Sequence, residues 1–174
     1  MEPLLEQPTR RRIFDVVCAH PGASAREIQR YADLGWGETA YHLDQLTQAG
    51  VLRRERGGHR DYYFPGQMTW EDRRLFQALR RPAQRHILVA LVDRPNLTLA
   101  EIAPAAGLGL STASFHLRHL LAAATVEGTV AGNVRRYRAL QPDRVRQLLH
   151  QYRTSFADSW IDRFVEAWSG MLEG

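Results

Sequence analysis

Ile13, Val16 and Val17 fall at helical spacing near the start of the chain, and Ile87, Leu88 and Leu91 return at the same kind of spacing farther along. Pro21-Gly22 and Pro95-Asn96 end these helices and turn the chain. After each stop comes an S/T-x-x-E capping box, Ser24-Ala25-Arg26-Glu27 in one place and Thr98-Leu99-Ala100-Glu101 in the other. Such a box satisfies orphan amides at a helix start from two directions. It opens a short second helix that closes near Leu34-Gly35 or Leu108-Gly109. A third helix follows, over about 36–49 and 110–123, with Leu43, Leu46, Leu117 and Leu120 aimed at the core. Beyond it the period changes from helical to extended. Segments 51–56 and 60–65 flank Gly57-Gly58, and segments 126–130 and 134–140 flank Gly132-Asn133, which predicts two β-hairpins.

These two series are one series written twice. Residues 12–63 lie on residues 86–137 with a constant offset of 74 and no gap, and 13 of the 52 positions are identical. The chain therefore divides into a first domain over 1–66, a second over 67–140 and a tail over 141–174. The expected fold is mainly α with small β-hairpins (α+β). Three helices followed by a basic hairpin is the winged helix-turn-helix arrangement, which sets the third helix into a DNA major groove and the hairpin against the neighbouring backbone.

Charge distinguishes the copies. All 23 basic residues are arginine, so a P-loop lysine and a Schiff-base lysine are excluded. Segment 80–140 holds eight arginines against three acids, a net +5, whereas segment 10–65 holds nine against seven, a net +2. The tail is −1, with four against five. A basic second repeat before a slightly acidic tail suits a polyanion-binding part joined to an interaction part. The single cysteine, Cys18, matches Val92 of the second copy and reads as a buried, inert thiol. There is no apolar run of membrane-spanning length and no signal-peptide core, so the chain is expected in the cytoplasm, and nucleoid association is expected only as a consequence of DNA binding. No catalytic triad order, paired-carboxylate motif or phosphate loop stands out, so the chain reads as a non-enzyme with no cofactor.

The strings Pro21-Gly-Ala-Ser-Ala-Arg-Glu-Ile28, Thr39-Ala-Tyr-His-Leu-Asp-Gln-Leu46, Ala49-Gly-Val-Leu52 and Tyr62-Tyr-Phe64 resemble prokaryotic winged-helix regulators of the ArsR/MarR type. The nearest likeness is to tandem winged-helix proteins of archaea and bacteria. The second copy is similar through Ser111-Thr-Ala-Ser-Phe-His-Leu117 and Arg135-Arg-Tyr137. The resemblance covers about residues 10–140. It implies a sequence-specific regulator that binds double-stranded DNA as a homodimer.

In the second recognition helix, Ser111, Thr112, Ser114, Arg118 and His119 are the expected contacts to base edges and phosphates, supported by Arg135 and Arg136 of the hairpin. Phe115 is expected in core or interface packing. The first copy offers Thr39, Tyr41 and Gln45 with Arg56, His59 and Arg60, but Glu38 and Asp44 would repel phosphates, which leaves DNA contact by this copy open. Trp36 is expected against a partner domain. His116, His119, Asp143 and His150 do not reproduce the metal-ligand spacing of ArsR-like sensors, so no metal is expected.

In the tail, Leu149, Tyr152, Phe156, Trp160, Phe164 and Trp168 recur every three or four residues, which predicts one long amphipathic helix. So wide an apolar stripe needs burial, across the chain's own repeats or against the same helix of a second copy. Similar regulators dimerise through terminal helices, which implies the second. A small-molecule effector is compatible with the pattern but not demanded by it. A protein-interaction module, such as a chromosome-condensation or transcription-machinery subunit, is the alternative function; Trp36, Glu38, Asp44 and the aromatic tail favour it.

Overall fold

The computed structural model describes residues 2–156 and 158–172. They form two compact units, Met1–Arg73 and Arg74–Gly174. The fold class is α+β, mostly helical with two small antiparallel sheets.

The first unit contains α1 (Glu2–Leu5), α2 (Pro8–Ala19), β1 (Ala23–Ser24), α3 (Ala25–Ala32), α4 (Trp36–Gln48), β2 (Leu52–Gly57) and β3 (Arg60–Pro65). Helix α5 (Trp70–Leu79) carries the chain into the second unit, where α6 (Pro82–Asp93), α7 (Leu99–Ala105), α8 (Leu110–Ala122), β4 (Val126–Ala131) and β5 (Val134–Ala139) follow. The offset of 74 holds for both ends of α2 and α6, α4 and α8, β2 and β4, and β3 and β5. Both capping boxes are made in full: Ser24 and Glu27 cap α3, and Thr98 and Glu101 cap α7. In the first unit the sheet order is β1-β3-β2, with Ala23 opposite Tyr63 and Arg54 opposite Tyr63 on the other edge. In the second, a single bridge between Leu97 and Tyr137 replaces β1. The hairpin turns are Gly58-His59 and Gly132-Asn133, so the first lies one residue beyond the expected Gly57-Gly58.

Backbone geometry repeats as closely as sequence. Four left-handed positions recur in register, Gly22 with Asn96, Asp33 with Gly107, Gly50 with Ala124, and Gly58 with Gly132. Ala124 carries φ +50° where the first copy has glycine. A left-handed alanine costs about 1–2 kcal/mol, and part of the relief from glycine is offset by its freer unfolded chain, about 0.4–1 kcal/mol. Ala124→Gly should therefore raise the unfolding free energy by roughly 0.5–1 kcal/mol, and Gly50→Ala should lower it by a similar amount. Nothing lies within 4 Å of a Cβ added at Gly50, so only backbone strain enters that comparison. Urea titrations of the two variants check the opposite signs, and a lower midpoint for Ala124→Gly would refute the argument.

The cores confirm the leucine pattern: Ile13, Val17, Ile28, Leu43 and Leu46 are sealed in the first unit, as are Ile87, Leu91, Ile102, Leu117 and Leu120 in the second. Each such side chain contributes about 1.5–3 kcal/mol of transfer free energy. The opening helices differ, however. On α2 only Ile13 and Val17 are buried, whereas α6 buries eight residues, from Gln84 through Val92 with only His86 half-open. The tail accounts for the difference, because it packs on the second face of α6.

Among the described residues that tail is three helical segments rather than the single long helix expected: α9 (Pro142–Gln151), α10 (Arg153–Phe156) and α11 (Ser159–Leu172). The first break is at Tyr152, whose φ −112° and ψ 26° leave the helix. Asp158 stands at the next restart. Its Oδ1 accepts from the Trp160 amide at 3.0 Å, the geometry of an N-cap. Its Oδ2 accepts from Arg85 Nη2 at 2.5 Å and lies 2.9 Å from His86 Nε2. Burial alone would raise the Asp158 carboxyl, but the bonds from Arg85 and His86 outweigh it and hold the group below its ordinary value.

Within this unit Leu149, Phe156 and Trp168 are buried, and Tyr152, Trp160 and Phe164 are half-buried. Phe156 stacks on Phe76 and Tyr152 meets the same ring edge-on, while Trp160 stacks on His86 at 4.1 Å between centroids. Much of the apolar stripe is thus covered by its own unit. Among the described residues no helix is long and apolar enough to cross a membrane.

Candidate nucleic-acid interface

The second unit presents one coherent polar face. On α8, Ala113, Leu117 and Leu120 turn inward, which leaves Ser111, Thr112, Arg118 and His119 exposed and Ser114 half-buried. Phe115 lies at the centre of that outer face, 50% exposed, so of the expected core or interface packing the core is excluded. Its edge contacts are with His116 and His119, at 5.1 and 4.7 Å. Its place three residues from both Thr112 and Arg118 was the available signal, since residues three apart share a helix face. Arg118 has no carboxylate partner among the described residues.

The hairpin β4–β5 projects with Val130 at 70% and Val134 at 42% exposure beside its glycine turn. Arg135 leans over the Tyr137 ring at 5.7 Å and keeps its charge unpaired among the described residues. Arg136 points to the other side, where Nη1 donates to the Asn96 carbonyl at 2.9 Å and stands 3.6 Å from Glu101. It therefore ties the hairpin to the α6–α7 loop as well as adding charge. Arg138 is taken up by Glu127 across the ladder.

The first unit builds its face differently. Thr39, predicted as a contact, is completely buried, and its hydroxyl donates to the Gly35 carbonyl at 2.9 Å. It occupies the place of buried Ala113, and the internal hydrogen bond is what lets a polar residue sit there. Tyr41 is 57% exposed and Gln45 half-buried on α4, beside exposed Glu38 and Asp44. Trp36 is also exposed, with the Arg26 guanidinium 3.9 Å from its ring centroid. In the hairpin, Arg56, His59 and Arg60 are exposed, but Asp61 lies 3.5 Å from Arg56 and 4.0 Å from Arg54. One carboxylate thus dilutes the charge of two arginines.

The repeated histidines are structural in position. His42 is buried and His116 half-buried, and in each Nδ1 is enclosed without a partner among the described residues. Burial, followed by Arg10 for His42 and by His119 and Arg81 for His116, lowers both below the ordinary 6.5. His150 approaches Ser169 Oγ at 3.5 Å. Among the described residues no three His, Cys, Asp or Glu side chains gather as a metal group. Cys18 is half-buried instead of sealed, and burial, then Asp15, pushes its thiol up and keeps it protonated.

Residues 7–76 match a family model described as an N-terminal HTH domain. Over 132 residues the chain is 27% identical to an uncharacterised HTH-type transcriptional regulator of Methanocaldococcus jannaschii, a stretch that is 76% of this chain and 33% of that protein. The chain thus spans about a third of the length of this curated relative. Among solved structures, a homodimeric winged helix-turn-helix DNA-binding domain from Mycobacterium bovis, described as a possible ArsR-family transcriptional regulator, is 30% identical. The match covers 44% of this chain and 70% of that one, with a TM-score of 0.39. A Corynebacterium diphtheriae protein is 16% identical over 80% of this chain and 27% of its own, with a TM-score of 0.34. Residues 7–76 thus match an N-terminal HTH domain, and over 76% of its length the chain is similar to an HTH-type transcriptional regulator.

Proposed function

We propose that the chain is a cytoplasmic, nucleoid-associated regulator that binds double-stranded DNA sequence-specifically as a homodimer, with the second unit as its principal reader. The observation that carries this reading is the outer face of α8, where hydroxyls and an arginine without a carboxylate partner among the described residues are exposed together, with no acid on the helix itself. Hydroxyls and arginine are suited to base edges and phosphates in a major groove. Arg135 and Arg136 of the hairpin add backbone contacts. The acids of α4 give the first unit a lesser part in reading DNA. Trp160 and Phe164 remain half-exposed on α11, and pairing of that helix with its copy would cover them. A two-fold dimer calls for an operator of two related half-sites.

Salt-titrated fluorescence anisotropy on mixed genomic duplexes tests the reading. Affinity should fall steeply with salt, by about 0.9 log units per log unit of salt for each phosphate neutralised. Absence of binding at low salt would overturn it in favour of a protein-interaction module. Sedimentation equilibrium tests the dimer separately, and a monomer at micromolar concentration would remove that element.

A further inference from the structure

The first unit has an open groove of about 760 Å³ bounded by α3, α4 and the β2–β3 hairpin. Arginines reach it from each side except α4: Arg26 and Arg30 from α3, Arg54 from β2 and Arg60 from β3. Helix α4 supplies the Trp36 indole and the Asp44 carboxylate. Arg30 and Arg60 have no carboxylate partner among the described residues. The volume falls within the range of small-molecule sites, about 300–1,000 Å³.

The internal repeat supplies an independent test of what this groove is for. At the offset of 74, the positions that build the fold stay the same or alike: Glu27 and Glu101, Leu43 and Leu117, Tyr63 and Tyr137. The four arginines are all lost in the other copy. Arg26 becomes Ala100, Arg30 becomes Pro104, Arg54 becomes Gly128 and Arg60 becomes Val134. Trp36 becomes Leu110 and Asp44 becomes Arg118. A set that the fold does not need, present in one copy and absent as a set from the other, is a set with its own task.

Its chemistry is bipartite. Guanidinium groups hold phosphate by paired N–H donors. An exposed indole, already stacked with Arg26 at 3.9 Å, provides a surface for a planar ring. Asp44 of α4 and Asp61 of β3, both in the lining, would repel a duplex backbone but accept from N–H and O–H groups. A uniformly anionic partner does not fit such a lining. We propose that this groove is a binding site for a nucleoside phosphate, its phosphate held by Arg30 and Arg60, its base against Trp36 and its N–H or hydroxyl groups on Asp44. The first unit then senses a small molecule, and the second reads DNA.

Isothermal titration of the full chain with each of the four ribonucleoside monophosphates, with inorganic phosphate and with adenosine, all without DNA, tests the site. At least one monophosphate should bind saturably at one per chain, about tenfold or more tighter than phosphate or adenosine. Arg30→Ala/Arg60→Ala should weaken that binding about tenfold or more while the melting temperature stays within about a degree, since both side chains are exposed. Lack of saturable binding by any monophosphate overturns the proposal, as does phosphate binding equal to that of the nucleotides. So does a double variant that loses affinity for duplex DNA but not for the nucleotide, which would make the groove a backbone clamp. Because DNA is absent from the titration, its failure leaves the reading of the second unit untouched, and failure of that reading leaves the groove.

Discussion

Asp158→Ala should destabilise the second unit by about 3–5 kcal/mol, the cost of leaving a buried charge without its partner. The Arg85 side chain is 5% exposed and that of Asp158 12%, so neither is well screened by solvent. Three interactions end together in this variant: the Arg85 pair, the His86 contact and the N-cap of α11. Arg85 would keep only its bond from Nη1 to the Leu79 carbonyl. Asp143→Ala is the natural comparison, since its carboxylate is 88% exposed in the pair with Arg146 and should contribute about 0–1 kcal/mol. Arg85→Ala/Asp158→Ala should recover part of the loss, because it removes the stranded charge. The Asp158 contribution carries a pH signature. Its pKa is lowered on folding, so the stabilisation is complete above the ordinary carboxylate value of 3.8 and disappears as pH falls through the lowered one. Urea unfolding at pH 7 measures the effect, and a change below about 1 kcal/mol for Asp158→Ala would show that the cluster does not hold the tail.

The second large effect concerns recognition. Arg118→Ala/Arg135→Ala should weaken duplex binding about a hundredfold, close to 2.7 kcal/mol, and flatten the salt dependence by up to about two phosphate contacts. Neither arginine has a carboxylate partner among the described residues, so their removal leaves no stranded charge behind. Stability should stay within about 0.5 kcal/mol of the parent chain, as usual for surface changes. Arg136→Ala is a less clean probe, because that side chain also bonds the Asn96 carbonyl. Undiminished binding by the double variant, at several salt concentrations, would show that α8 and its hairpin are not the reader.

What was legible in the sequence was what depends on neighbours along the chain. The capping boxes, the leucines of α4 and α8, and the hairpin glycines are local signals, and each lies where its spacing put it except the first hairpin turn, which moves one residue to Gly58-His59. Helix phase was harder to read. Thr39 looked like a contact because it is polar, although its repeat partner Ala113 pointed to burial, and Phe115 looked like core or interface because it is apolar. Side-chain polarity is a poor guide at those two positions, one satisfied internally at Gly35 and the other exposed among histidines. The covering of α6 was readable in part, since Asp15 and Cys18 of the first copy give way to Val89 and Val92. The break at Asp158 and the gathering of Arg26, Arg30, Arg54 and Arg60 were not readable, because both depend on segments brought together only by folding.

The left-handed residues that recur in register have a practical consequence. At Gly22 and Asn96, and again at Gly50 and Ala124, the two copies turn in the same way, and the segments between the two turns are equal in length. Those joints are natural splice points. A segment exchanged between them keeps its entry and exit directions, so the block carrying one face can be transplanted as a cassette onto the other scaffold. The duplicated chain is in this sense a set of parts built to one pattern, open to exchange by design.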